Sequence, residues 1–335
     1  MSKHDSADPL VRIAEVRFSD VEQYAQVGGG WNLDYVQLEP GKLDARSKIY
    51  YGRNASIKHV TYNRKIHQRG EAPGELVSFG ILDDPLVHRA YNAPLMRGSV
   101  LRFNTPSGMD VVAESGFTGF PVTFTESFLL EVADQIGVPV SPNDLAGEPR
   151  LYKCSPQEFA LLRHDLHNIF NEAENHSKLL HSSNGIDDVE FVIAAKLLSI
   201  ITKPRRHNFI KPDTSTRYRG MVRAIQYIKE HDDEMICIKN LCTAANVSWR
   251  SLDRAFKEHF DKTPKQYVKC HQLIQVHKAL LSDQATSIIA DVAARWGFWH
   301  SGQFAADYKK LFGELPTETL RSVRSKRSQI SNPDF

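Results

Sequence analysis

The chain has 335 residues, of which 41% are hydrophobic and 24% charged, with a formal net charge of +2. These are ordinary globular values for about two domains, each able to bury a core unaided, and they exclude collagen, coiled-coil rod and wholly disordered classes. The most apolar long stretch, residues 189–201, carries Glu190 and Lys196 and is too short to cross a bilayer.

The N-terminus is polar and lacks the apolar segment of a secretory signal. The four cysteines, Cys154, Cys237, Cys242 and Cys270, show no CxxC spacing. Both features predict a cytoplasmic protein with reduced thiols and no membrane association. The small net charge hides an asymmetry. From residue 215 onward there are 19 Lys+Arg against 13 Asp+Glu, a net of +6, while the remainder carries −4. A basic C-terminal third on an acidic body points to a polyanion partner at that end.

In chain order, residues 31–124 read as short strands. Trp31-Asn-Leu33-Asp-Tyr35 and Val77-Ser-Phe79-Gly-Ile81 alternate with period two, followed by Val100–Phe103 and Phe120–Phe124. Turn signals separate them: Pro40-Gly41, Gly52, Arg69-Gly70, Pro73-Gly74, Gly98 and Pro106-Ser-Gly108. This spacing predicts a β-sandwich or barrel. Gly28-Gly29-Gly30 precedes a strand and reads as a turn, not a phosphate loop.

From Pro156 the period changes. Phe159, Leu162, Leu166, Ile169 and Phe170 step by three and four, which is a helix face. Asp187 followed by Glu190 predicts a capped helix start, running through Ala194, Leu197, Leu198 and Ile201 to Lys203-Pro204. These two apolar stripes either pack on the chain's own sheet or form a dimer interface. The expectation favours a homodimer, because C2 dimers are the commonest oligomers. Residues 204–216 are polar, basic and proline-bearing, a linker by composition.

The remainder reads as short helices with an internal repeat. Phe256-Lys257, Phe260 and Pro264 recur 52 residues later as Tyr308-Lys309, Phe312 and Pro316. Cys242, Asn246 and Val247 recur 51 residues later as Ala293, Gly297 and Phe298. A small residue, then a residue tolerating a left-handed backbone, then an apolar residue is the logic of a helix-turn-helix. Thr263-Pro264 and Leu315-Pro316 place proline where a helix can begin.

With these motifs the sequence resembles the AraC/XylS family of bacterial transcription regulators over about 100 residues. The carrying residues are Leu241-Cys242-Thr-Ala-Ala-Asn246-Val247-Ser248, Leu252-Asp-Arg254-Ala-Phe256-Lys257-Glu-His-Phe260, Ile288-Ile-Ala-Asp291-Val292-Ala293, Gly297-Phe298, Gln303-Phe304 and Tyr308-Lys-Lys-Leu-Phe312-Gly313-Glu-Leu-Pro316. Cys242 stands where Ala is commoner, and Asp261 where Gly is usual. Trp299-His300 and Gly302 also depart from the pattern.

The resemblance implies an α+β chain. A cupin-like β-barrel or jelly-roll sensor would occupy residues 1–140, a helical dimerisation segment 141–203, the linker 204–216, a double helix-turn-helix domain 217–324 and a flexible tail 325–335. It implies recognition helices at 248–258 and 300–310, joined by a rigid helix at 264–281. Leu252, Phe256, Phe304 and Tyr308 would be buried. Ser248, Arg250, Ser251 and Arg254 would face DNA from the first helix and His300, Ser301, Gln303 and Ala306 from the second, with Lys257 on phosphate. Arg254 could instead pair with a carboxylate and His300 could serve as a cap. Trp296 and Trp299 are expected to pack. The implied partners are double-stranded promoter DNA, RNA polymerase and a small-molecule effector of unknown identity, with activation the expected sign.

No enzyme, cofactor or metal is expected. The alternative, a metal-dependent cupin enzyme fused to a DNA-binding module, would need a His-x-His cluster. His59, His67 and His88 are scattered instead, with Glu71 and Glu75 near His67. A DNA-repair methyl acceptor would need an activated cysteine, and Cys154 lacks the setting. For an effector, Trp31, Tyr35, Tyr50, Tyr51, Tyr62 and Tyr91 could line a pocket, and Arg64, Arg89 and Arg102 could receive an anion. For each singly, a place in the core or on a solvated face is the stronger expectation.

Overall fold

The computed structural model describes residues 12–26, 32–71, 75–103, 108–147, 149–174, 183–203, 207–209, 215–282 and 288–330. Trp31 and Gly28-Gly29-Gly30 lie outside the described residues.

The alternating segments form two antiparallel sheets, as period-two patterning requires when each face meets a different environment. The larger sheet has eight strands in the order β1 (Arg12–Phe18), β3 (Ala45–Tyr51), β4 (Ala55–Tyr62), β11 (Phe117–Thr125), β6 (Leu76–Leu82), β9 (Ser99–Phe103), β12 (Arg150–Lys153) and β13 (His207–Phe209). The smaller has five: β2 (Asn32–Gln37), β5 (Ile66–Glu71), β10 (Met109–Ala113), β7 (Val87–Ala90) and β8 (Ala93–Met96). Leu82, Leu101 and Phe103 of the first sheet pack with Leu95, Met109 and Val111 of the second. The arrangement is a sandwich of two sheets, one of the two forms expected. A short helix, α1 (Val21–Gln26), follows β1, and its Tyr24 packs edge-on against Phe18 and Tyr35.

The other face of the larger sheet is covered by α2 (Glu126–Gln135), α4 (Pro156–Glu174) and α5 (Ser183–Ile201), with the short α3 (Pro142–Leu145) beside them. Ser155 and Glu158 cap α4 reciprocally: Ser155 N donates to Glu158 Oε2 at 2.8 Å, and Glu158 N donates to Ser155 Oγ at 3.3 Å. Three expectations are corrected here. The stripe of α4 and α5, with Leu162, Leu166, Leu197 and Leu198 all at 0% exposure, packs against Tyr50, Ile57, Phe79 and Val122 of its own sheet, so it is not free to pair two copies. Helix α5 begins at Ser183, not at Asp187. Glu190 is fully buried and accepts from Asn54 N at 3.1 Å, pinning the β3–β4 turn instead of capping a helix.

The segment expected as a linker contributes β13, which pairs with β12 through Arg150↔Phe209 and Tyr152↔His207. Then follow α6 (Thr216–Glu230), α7 (Ile238–Ala245), α8 (Trp249–Phe260), α9 (Pro264–Leu281), α10 (Ile289–Arg295), α11 (Ser301–Phe312) and α12 (Pro316–Ile330). The starts of α8 and α9 recur 52 residues on as α11 and α12, and the start of α7 recurs 51 residues on as α10. Residues 325–330, expected in a flexible tail, belong to α12. One apolar core joins the halves: Val36, Leu43, Tyr62 and Val112 lie in the same cluster as Ile225, Phe260, Tyr267 and Leu311.

Candidate nucleic-acid interface

Each helix-turn-helix is held by its turn residue. Asn246 has φ of +50° and Gly297 φ of +86°, the left-handed conformation that their residue types predict. The apolar residue after the turn plugs the angle. Val247 lies so close to α6 that a Cβ on Gly220 would sit 2.8 Å from Val247 Cγ1. In the second unit, Phe298 packs on Phe304 with ring centroids 5.4 Å apart. Leu252 and Phe256 of α8, and Phe304 and Tyr308 of α11, are buried as expected.

The opposite faces are open. Ser248, Arg250, Arg254 and Lys257 are exposed and Ser251 half-buried on the first unit. His300, Ser301, Gln303 and Ala306 are exposed on the second. Ser248 caps α8 by accepting from Ser251 N at 3.2 Å. His300 occupies the cap position of α11, but its ring makes no cap hydrogen bond. Arg254 Nε donates to Glu258 Oε1 at 2.7 Å, and Lys257 Nζ pairs with Asp253 Oδ2 at 2.7 Å. Such exposed i,i+4 pairs contribute only about 0.3–0.5 kcal/mol, so a phosphate can displace them. Trp296 is buried and its Nε1 donates to Asp232 O at 2.7 Å. Trp299 is 72% exposed, contrary to expectation, and Trp249 is 45% exposed beside Arg250.

The sheet half grips the far ends of both recognition helices. Helix C-termini leave carbonyls without intrahelical donors. Gly41 N donates to Lys310 O at 2.9 Å, and Gln37 Nε2 donates to Leu311 O at 2.9 Å. Asp261, the left-handed C-cap of α8, receives Lys65 Nζ at 2.5 Å, and Lys65 also meets Glu114 at 2.8 Å.

Between these grips lies a buried polar cluster that joins the halves. His67 Nε2 stands 3.0 Å from Asp110 Oδ1, and His67 Nδ1 meets Tyr267 OH at 2.8 Å. Tyr218 OH donates to Asp110 Oδ2 at 3.1 Å. His259 Nε2 is 3.5 Å from Asp110 Oδ1, and its Nδ1 meets Asn92 Oδ1 at 3.2 Å. Burial pushes the Asp110 carboxyl up, but the rings of His259 and His67 outweigh it and hold the group well below the usual carboxylate range. Burial lowers His67 despite Asp110.

Two cavities open nearby. One, about 300 Å³, lies between β2, β5, α6 and α9 and is lined by Asp34, Arg69, Lys229, Asp232, His271 and Lys278 among others. The other, about 90 Å³ and mostly apolar, lies between the sheets, with Lys58 and Gln68 on its wall. Burial lowers the Lys58 ammonium to about 8.

The three histidines singled out in sequence occupy three separate settings. His59 stacks on Phe120 at 4.6 Å, His67 joins the inter-half cluster, and His88 holds Asp84 at 2.9 Å. Of the candidate pocket residues, Tyr35 lines both cavities. Tyr50, Tyr62 and Tyr91 are core, and Arg102 is fully buried, donating to Leu145 O.

The helix-turn-helix domain family matches residues 241–322, from α7 into α12. XylDLEGF operon transcriptional activator 2 of Pseudomonas putida is 34% identical over 149 residues, 42% of this chain and 91% of the relative. The chain belongs to the AraC/XylS family. A longer XylDLEGF operon transcriptional activator of Pseudomonas putida is 34% identical over 138 residues, 40% of this chain; the match spans only 41% of that relative. Among solved structures, a probable AraC family transcriptional regulator from Rhodopseudomonas palustris aligns at 28% identity over 31% of this chain and 96% of its own, with a TM-score of 0.30.

Beyond the AraC/XylS repeat, sequence reasoning did not find the grips or the inter-half cluster. Gln37, Lys65, Asp110, Tyr218 and His259 meet partners as far as 274 residues away, so no local spacing announces them. Among the described residues no helix is long and apolar enough to cross a membrane.

Proposed function

We propose that this AraC/XylS chain is a sequence-specific transcription regulator that lays its two recognition helices in successive major grooves of promoter DNA, about 34 Å apart. The carrying observation is the duplicated unit: two helices in register 52 residues apart, each with a buried inner face and an exposed polar outer face. Arg250 and Arg254 suit guanine edges, Gln303 suits adenine, and Lys257 suits phosphate. Ser248, Ser251, His300, Ser301 and Ala306 complete the two surfaces. The relatives are named activators, which supports activation as the sign, through contact with RNA polymerase as the family implies.

A small-molecule effector fits the 300 Å³ cavity, because its wall draws on both halves and the same sheet holds both recognition helices by their ends. Filling it would bias the spacing of the two readers. Two copies pairing on DNA half-sites would use the outward sides of α4 and α5, where Leu161 and Val192 stay exposed, not the buried stripe. The reading assigns no catalysis; His59, His67 and His88 occupy three separate settings and do not converge on one another.

Selection of bound duplexes from a randomised pool by the full chain is the test. The expected product is a site with two conserved blocks about one helical turn apart, bound with affinity that falls steeply with salt. A single block, or no enrichment at low salt, overturns the two-groove reading.

A further inference from the structure

We propose that His67, Asp110 and His259 form a divalent transition-metal site, suited to Zn²⁺, that fastens the last turn of α8 to the smaller sheet. The three ligand atoms converge from two strands and a distant helix. His67 Nε2 and Asp110 Oδ1 are 3.0 Å apart, His259 Nε2 and Asp110 Oδ1 are 3.5 Å apart, and all three atoms lie within 4.8 Å of one another. Metal–ligand bonds of about 2.0–2.2 Å in a tetrahedron set neighbouring ligand atoms roughly 3.3 Å apart, so small shifts close the set. All three residues are buried, at 1%, 5% and 1% exposure.

The surroundings point the same way. A metal-bound histidine donates its outer N–H to an oxygen, which fixes the ring and its tautomer. Both outer nitrogens here already face one: Tyr267 OH at 2.8 Å for His67 and Asn92 Oδ1 at 3.2 Å for His259. The second carboxylate oxygen of Asp110 is held by Tyr218 OH at 3.1 Å. That leaves the three inner atoms grouped within 4.8 Å of one another, and His259 Nε2, fully buried, makes no hydrogen bond among the described residues. Two imidazoles and one carboxylate favour Zn²⁺ and its neighbours over Mg²⁺ or Ca²⁺. His67 and Tyr267 also line the 300 Å³ cavity, which supplies an entry path and room for a water as fourth ligand.

A second trio, His59, Asp83 and His167, shares the spacing but not the chemistry. There the Arg163 guanidinium already holds Asp83 Oδ1, so a fixed cation neutralises the carboxylate that a metal would need.

The test uses the full chain, stripped with a chelator, dialysed, and titrated with Zn²⁺ or with Co²⁺, whose visible absorption reports tetrahedral ligation. One metal per chain is expected, with loss of the Co²⁺ spectrum in His259→Ala and Asp110→Asn and retention in His59→Ala. Tyr267→Phe keeps every ligand and removes one hydroxyl, so it should fold normally and bind about 10-fold more weakly. A folded wild-type chain that takes up no stoichiometric metal overturns the proposal, as does an unchanged spectrum in His259→Ala. If the ligand variants fail to fold, Tyr267→Phe decides, and wild-type affinity in that variant assigns the cluster to hydrogen bonding alone. None of these readouts involves DNA, so the proposal stands or falls independently of the DNA-binding reading.

Discussion

At the scale of single residues, exposure separates what a side chain can read from what it can only hold. Arg250 has no carboxylate partner among the described contacts, whereas Arg254 pairs with Glu258 one turn on and Lys257 with Asp253 one turn back. Arg250 therefore has no ion pair of α8 to give up before gripping a guanine, as Arg254 has. Arg250→Ala should cost about 1–3 kcal/mol on the selected site, much less on random duplexes, and relax one base position. Gln303→Ala should relax a different position about one turn away. Lys257→Ala should weaken all sequences alike and flatten the salt slope by about one unit. Competition over a randomised operator measures all three. Uniform loss in both Arg250→Ala and Gln303→Ala would show that other residues, or DNA shape, carry specificity.

At the scale of elements, the helix-turn-helix depends on a backbone that few residue types accept. Asn246→Ala puts an ordinary side chain at φ of +50° and should cost about 1–2 kcal/mol, read as a lower urea midpoint with unchanged slope. Leu198→Glu places a carboxylate at 0% exposure between α5 and the larger sheet. It should unfold the sheet half, read by circular dichroism; a folded variant that merely dissociates would restore the dimer role for the stripe. These elements show what was legible in the sequence. The repeat was, because both copies solve one local problem with residues at fixed offsets. Strands β6, β9 and β11 were, as short apolar runs between turn signals; in β11 burial also alternates, which imposes period two, whereas β9 is buried throughout. The destination of the α4 and α5 stripes was not, since an apolar stripe looks the same whether it meets a sheet or a second chain. Glu190 was misread for the same reason: a carboxylate three positions after Asp187 resembles a capping box until its true partner, the Asn54 turn, is brought alongside. The exposed faces of α8 and α11 were legible as positions on a helix, while the grips of Gln37 and Lys65 needed the fold.

At the scale of the whole molecule, burial of histidine makes stability depend on pH in a defined direction. His277 stacks on Phe312 at 4.4 Å between α9 and α11, with its Nδ1 against Tyr308 OH, and burial alone lowers it to about 4. His271, on the inter-half cavity, is lowered to about 4 by burial, with Asp34 opposing and Lys278 assisting. His59, between the larger sheet and α4, reaches about 4 through burial, then His167, with Asp83 opposing and Lys48 and Arg163 assisting. Unfolded histidine titrates near 6.5, so between about pH 6.5 and 4 the unfolded chain binds protons that the folded chain refuses. Stability is therefore complete above that window and falls as pH drops through it. Each fully neutral buried ring contributes a slope approaching about 1.4 kcal/mol per pH unit. Because the three rings lie in the sheet half, the inter-half cavity and the helical half, both halves should weaken together. Urea unfolding at about pH 7, 6 and 5 should show a midpoint that declines with acid, and the decline should be shallower in His277→Phe by about one proton's worth of slope. An acid slope unchanged by His277→Phe would mean that this ring takes up its proton inside the fold, with Tyr308 turning its oxygen to accept it.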